Sequence, residues 1–124
     1  MTELKFKAFF KVDGRIYETL SIDFANKEAT LWDKETAVNF EASFEDIKLL
    51  QFANFKDRNG VEIYTGFFVR WGLRTYEICF DCGFYMHDLS GINPDYPITK
   101  EFKNASDEFE IVGNIYENPN LEIK

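Results

Sequence analysis

The sequence predicts an all-β protein, mainly antiparallel, built from short strands with at most one or two short helical turns. Three observations carry that prediction. Apolar and polar residues alternate over short runs, as in Leu4-Lys5-Phe6-Lys7-Ala8-Phe9-Phe10-Lys11, where Leu4, Phe6, Ala8 and Phe10 share one face. Turn-forming dipeptides, Asp13-Gly14 and Asn59-Gly60, separate such runs. Phe supplies 14 of the 124 residues, and each buried Phe contributes about 2–3 kcal/mol of transfer free energy, so a packed interior is within reach.

Taken in order, Leu4–Lys11 opens as a strand and Asp13-Gly14 turns it back into Arg15–Leu20. Ile22-Asp23-Phe24 leads to a turn over Ala25–Glu28. Ala29–Trp32 and Ala37–Phe40 follow as short strands joined through Asp33–Thr36, completing a meander. Ser43 can cap a single helical turn, with Glu45 and Asp46 near its positive end. Ile47–Phe52 resumes extended chain. Asn59-Gly60, a pair that demands positive φ, reverses it into Val61–Tyr64, in which Val61 and Ile63 share one face and Glu62 and Tyr64 the other. Phe67–Trp71 and Arg74–Phe80 are strands set off by Thr65-Gly66 and Gly72-Leu73. Residues 87–107, with two prolines and a glycine, exclude a long central element and read as a loop. Phe109–Tyr116 is the closing strand, and Glu117-Asn118-Pro119-Asn120-Leu121 ends it. No internal repeat is visible. The length suits one domain over residues 1–124, divisible into a meander over 1–50 and a barrel-like half over 51–124.

The formal net charge is −8, unevenly placed: residues 1–60 carry 9 basic and 11 acidic groups, residues 61–124 carry 5 and 11. Such a surface repels phosphate backbones and argues against direct nucleic-acid binding. It suits a solvated surface, or an acidic face that docks on a basic partner. No apolar run reaches the roughly 18 residues of a membrane helix, and Met1-Thr2-Glu3-Leu4-Lys5 lacks the apolar core of a signal peptide. A cytoplasmic location is expected, in keeping with only two cysteines.

The residues that could carry chemistry are few. Cys79-Phe80-Asp81-Cys82 has C-x-x-C spacing with His87 five residues on, but a zinc site takes four ligands and only three soft ones exist. Positions three apart on a strand point to opposite faces, so the thiols converge only if Asp81-Cys82-Gly83 turns. Packed thiols are the expectation, with a metal or redox pair as alternatives. His87, Asp88 and Ser90 are neighbours on one segment and cannot form a nucleophilic triad, whose members come from separate elements. No Gly-rich phosphate loop is present. No catalytic residue, metal ligand or cofactor is assigned. Phe67, Phe68, Trp71, Phe80, Phe84 and Tyr85 crowd the middle of the chain, and adjacent Phe67 and Phe68 must face opposite ways.

Three blocks resemble the YopX family of small phage and prophage proteins. Lys5-Phe6-Lys7-Ala8-Phe9 resembles its opening strand, of Lys-Phe-Arg-Ala-Trp type. Gln51-Phe52-Ala53-Asn54-Phe55-Lys56-Asp57-Arg58-Asn59-Gly60-Val61-Glu62-Ile63-Tyr64-Thr65-Gly66-Phe67 resembles its centre. Ile111-Val112-Gly113-Asn114-Ile115-Tyr116-Glu117-Asn118-Pro119-Asn120-Leu121 resembles its close. The likeness covers nearly the whole chain. It implies phage origin, an N-terminal strand layer and an SH3-like small barrel in the C-terminal half, and it supplies no activity. Two departures stand out. Ala53-Asn54-Phe55 replaces Thr-Gly-Leu at the entry to the central turn, where a different conformation is expected. Thr65-Gly66-Phe67 replaces Glu-Gly-Asp, so Phe67 is expected to pack.

The function expected is a non-enzymatic protein-binding module in the bacterial host cell, acting on a host or phage protein. The candidate partner-facing residues are Phe67, Trp71, Tyr85, Tyr96, Asp107, Glu108 and Glu110. The alternative is an acidic inhibitor that imitates nucleic-acid charge toward a host nucleic-acid enzyme or defence system. Open strand edges make a homo-oligomer an additional expectation.

Overall fold

The computed structural model describes residues 3–119, so Met1, Thr2, Asn120 and Leu121 of the sequence blocks above lie outside the described residues. Among the described residues eleven strands pair antiparallel, most of them joined by short turns. Two compact units are present, Leu4–Gln51 and a second containing Glu3 and the chain from Phe52 onward.

In the first unit β1 (Phe6–Phe10), β2 (Arg15–Asp23), β3 (Glu28–Asp33) and β4 (Val38–Ser43) form the meander. A single 3₁₀ turn over Phe44–Asp46 follows, and Ser43 caps it by accepting a hydrogen bond from the Glu45 N–H. The chain then enters β5 (Ile47–Lys56), whose first residues return to β1, Phe10 facing Ile47 and Phe6 facing Gln51. The order is therefore β4-β3-β2-β1-β5. Ala8, Tyr17, Ala29, Leu31, Ala42 and Ile47 are buried together, with Phe10 and Phe40 packed on Tyr17 at centroid distances of 6.3 and 5.2 Å. β4 starts at Val38 rather than Ala37 because Ala37 sits at φ 57°, which breaks the extended chain.

The second unit contains the end of β5, β6 (Glu62–Tyr64), β7 (Phe67–Trp71), β8 (Arg74–Phe80), β9 (Phe84–Asp88), β10 (Tyr96–Pro97), α1 (Lys100–Asn104), a 3₁₀ turn over Ser106–Glu108 and β11 (Phe109–Asn114). Its larger sheet has the order β10-β9-β8-β7-β11. Each unit thus has four meandering strands and a fifth that enters through a 3₁₀ turn and pairs with the first. Sequence inspection finds no repeat, yet the connectivity is repeated. The expected N-terminal meander is therefore present, and the same connectivity recurs in the C-terminal half. The ladders themselves are open, so barrel closure does not follow from the pairing. Ala53, Phe55, Ile63, Val69, Tyr76, Ile78, Met86 and Phe109 form the buried core of this unit.

Three local expectations change. β9 falls partly inside the segment expected as a loop, because its inner positions Phe84 and Met86 have an apolar face to join. Helix α1 and the second 3₁₀ turn bring the helical pieces among the described residues to three, filling the connection between β10 and β11. Val61 is exposed and outside the strand, whereas Ile63 and Tyr64 are both buried. Of Asn59 and Gly60, only Gly60 has positive φ, 78°. The reason is Asp57, whose carboxylate holds the turn. Its Oδ1 accepts from the N–H of Asn59 at 2.9 Å and of Val61 at 3.0 Å, while the Asp57 N–H donates to the Val61 carbonyl.

The same carboxylate reaches across the unit. Oδ2 accepts from the Ile111 N–H at 3.1 Å, and the Arg58 N–H donates to the Phe109 carbonyl at 2.8 Å, so the central turn is fastened to β11. Asn54, at the position of the family glycine, takes φ 66°, the left-handed conformation that Asn tolerates better than most residues. Its side chain bonds Glu3 in both directions, accepting from the N–H at 2.7 Å and donating to the carbonyl at 3.0 Å. The closing block is a second fastening: Asn114 Oδ1 accepts from the N–H groups of Tyr116 and Glu117, and Asn118 Oδ1 from that of Asn114. The three segments that carry the family resemblance are therefore strand, turn and clamp.

Candidate functional site

The candidate partner-facing residues do not form one patch. Phe67, Trp71 and Tyr96 lie on the inner side of the second unit and pack against its core. Trp71 stacks on Phe109 at 5.7 Å and meets Tyr96 edge-on at 5.9 Å, and Phe67 lies 5.7 Å from Tyr64. Packing is what strand alternation dictates here, since Phe67, Val69 and Trp71 share a face; neighbouring Phe68 faces the other way and is also buried. Tyr85 lies on the opposite side of β9 from Met86, across from Cys79. Asp107 and Glu108 are exposed in the second 3₁₀ turn. Glu110 lies 3.7 Å from Arg58 and is paired across the ladder with Arg70.

The groups with chemical potential are likewise separated. Asp81-Cys82-Gly83 does turn, with Cys82 exposed at φ 57°, while Cys79 is half-buried in β8. Burial, followed by the neighbouring Glu77 carboxylate, pushes the Cys79 thiol up to about 12, so it stays protonated at neutral pH. His87 Nδ1 is 2.8 Å from Asp95 Oδ1. Among the described residues no three His, Cys, Asp or Glu side chains gather in a metal-binding arrangement. Asp88 points inward, away from His87. Its Oδ1 accepts from the Ser90 hydroxyl at 2.7 Å and the Ser90 N–H at 2.9 Å, and its Oδ2 from the Asn93 N–H at 3.1 Å. These bonds, the Ser90 hydroxyl first, hold its carboxyl below the usual range despite burial. His87, Asp88 and Ser90 thus organise a loop.

The concave feature best suited to recognition lies in the first unit. The β1–β2 ladder spans Phe10–Arg15 to Lys7–Glu18, and beyond it the two chains separate. A bulge in β2 follows, since Thr19 faces Leu31 and Ser21 faces Thr30, leaving Leu20 extra. Between the start of β1 and the end of β2 is a groove of about 440 Å³ walled by Leu4, Phe6, Leu20, Ile22 and Phe24, with Lys5 beside them. Leu4, Leu20 and Phe24 are 71%, 55% and 73% exposed. The sequence reading missed this surface because alternation places Leu4 with Phe6 in the core and gives no sign of the bulge that turns Leu20 outward.

No helix among the described residues is long and apolar enough to cross a membrane. Comparison with curated proteins gives no match. The fold is similar to that in the crystal structure of protein EF1440 from Enterococcus faecalis, at 20% identity and a TM-score of 0.63, covering 97% of this chain and 98% of that one. A likeness at that identity speaks for the fold alone. The model of the YopX protein family matches residues 5–122, and the chain belongs to that family, one of phage-type proteins.

Proposed function

We propose that the protein is a non-enzymatic binding module of phage or prophage origin, acting in the cytoplasm of the bacterial host by holding a host or phage protein. The observation that carries this reading is the groove beside the β2 bulge. Three large apolar side chains stand more than half exposed around one concavity, and a contiguous apolar patch of this kind on a charged surface is a protein-docking feature. The family blocks support it from the other side, since their polar residues Asp57, Asn114 and Asn118 are engaged by backbone groups of the fold.

The test compares the protein with its Leu20→Asp/Phe24→Asp variant in quantitative capture from phage-infected cells. A specific protein enriched by the parent and lost from the variant supports the groove. Equal enrichment by both places recognition elsewhere, and no specific protein with either ends the proposal. Both positions are surface ones, and circular dichroism checks that the variant folds.

The acidic-inhibitor reading rests on the net charge of −8. Part of that charge serves structure: Asp57 and Asp88 are buried acceptors and Glu110 faces Arg58. Salt-sensitive binding to a basic protein, lost on neutralising Asp107 and Glu108, would favour it over the groove.

A further inference from the structure

Among the described residues four strands end their ladders: β4, β6, β10 and β11. An open strand edge presents unpaired backbone groups and invites another strand, so proteins guard such edges. Three of the four are guarded or very short. The outer side of β11 is taken up by the Arg58 N–H on the Phe109 carbonyl and by Asp57 on the Ile111 N–H. β10 is two residues long and ends in Pro97, and β6 has three residues. β4 has six residues, Val38-Asn39-Phe40-Glu41-Ala42-Ser43, with no proline and no lysine, in unbroken register with β3 from Asp33–Val38 to Glu28–Ser43. Val38, Asn39, Glu41 and Ser43 are exposed.

We propose that β4 is a homodimer edge, pairing antiparallel with β4 of a second copy about a two-fold axis that passes through Phe40. The occupant follows from side-chain complementarity. A two-fold perpendicular to the sheet keeps the inner face of both copies on one side, which requires directly opposed residues to have the same parity. With Phe40 opposite its own copy, Val38 faces Ala42 and Asn39 faces Glu41, twice by symmetry. The Asn39 amide then donates to the Glu41 carboxylate on the outer face. The adjacent register toward the strand end sets Glu41 against Glu41, and the one toward the start shortens the ladder to three pairs. Polar and charge matching therefore selects a self-paired strand in one register. A five-residue ladder buries less than the roughly 1,000 Å² of a stable interface, so the dimer is concentration-dependent. This inference is independent of the groove at Leu20 and Phe24.

Sedimentation equilibrium of the full chain across micromolar to millimolar concentration tests it. The parent is expected to show a monomer–dimer equilibrium. Asn39→Glu opposes two carboxylates on each side of the axis and is expected to weaken dimerisation about tenfold. The charge swap Asn39→Glu/Glu41→Lys is expected to restore it to within about twofold of the parent. Unchanged circular dichroism in both variants confirms that the monomer folds. A parent that stays monomeric throughout overturns the proposal. So does a dimer indifferent to Asn39→Glu, or one that the swap fails to restore.

Discussion

Replacing Asp57 probes the fastening on which the second unit depends. The carboxylate is almost fully buried and accepts three backbone N–H groups, from Asn59, Val61 and Ile111. A hydrogen bond to a charged group contributes about 1.5–3 kcal/mol. Asn59 and Val61 are exposed and regain water when the carboxylate goes, so their bonds count for little. The Ile111 N–H, part-buried against the turn, keeps most of its penalty. Asp57→Ala is therefore expected to cost about 3 kcal/mol, and Asp57→Asn about 2 kcal/mol, because the amide can satisfy one side of the clamp but turns a donor toward the other. For a chain of this size the larger loss lowers Tm by about 10 °C. Urea unfolding followed by tryptophan fluorescence reads it, since Trp71 lies on Phe109 at the start of β11. Hydrogen exchange at the Ile111 amide should accelerate more than exchange at Ile78 in β8. A loss under about 1 kcal/mol, or unchanged Ile111 protection, would refute the clamp.

Two further predictions follow from the turns. A Cβ at Gly113, where φ is 153°, would meet Asn118 Oδ1 at 2.7 Å, so Gly113→Ala should cost about 3 kcal/mol. Gly60→Ala meets nothing within 4 Å and carries only the positive-φ penalty, about 1 kcal/mol; paired denaturation curves of equal midpoint would contradict this ordering. The Asp88 carboxyl, held below its ordinary 3.8 in the folded protein, contributes stability that is complete above that value and lost as pH falls through the lower folded one. The stability gap between the parent and Asp88→Asn should thus be constant from neutral pH to about 5 and close under acid, and a gap that persists at the lowest pH would show the reasoning wrong.

The residues differ in how much they disclose. Strands β7 and β8 are legible to the residue because Thr65-Gly66 and Gly72-Leu73 break the extended chain at their starts, and both glycines take positive φ. The Ser43 cap is legible because its chemistry is local, an oxygen two residues from the N–H it satisfies. β9 was concealed by the prolines that follow it, and the groove by a bulge that depends on β3 rather than on β2. The same limit applies to Asp57, which reads as one more surface acid beside Lys56 and Arg58 until Ile111, 54 residues away, is brought to it.

By itself, then, the amino-acid sequence determined the class of the fold, the family, and most turn positions, because alternation, capping and glycine conformations act within a few residues. The tertiary structure decided which acids are buried acceptors, which aromatics are core, which strand edge stays open, and that both units share one connectivity. Those properties depend on long-range pairing, and a pairing partner lies outside any local pattern.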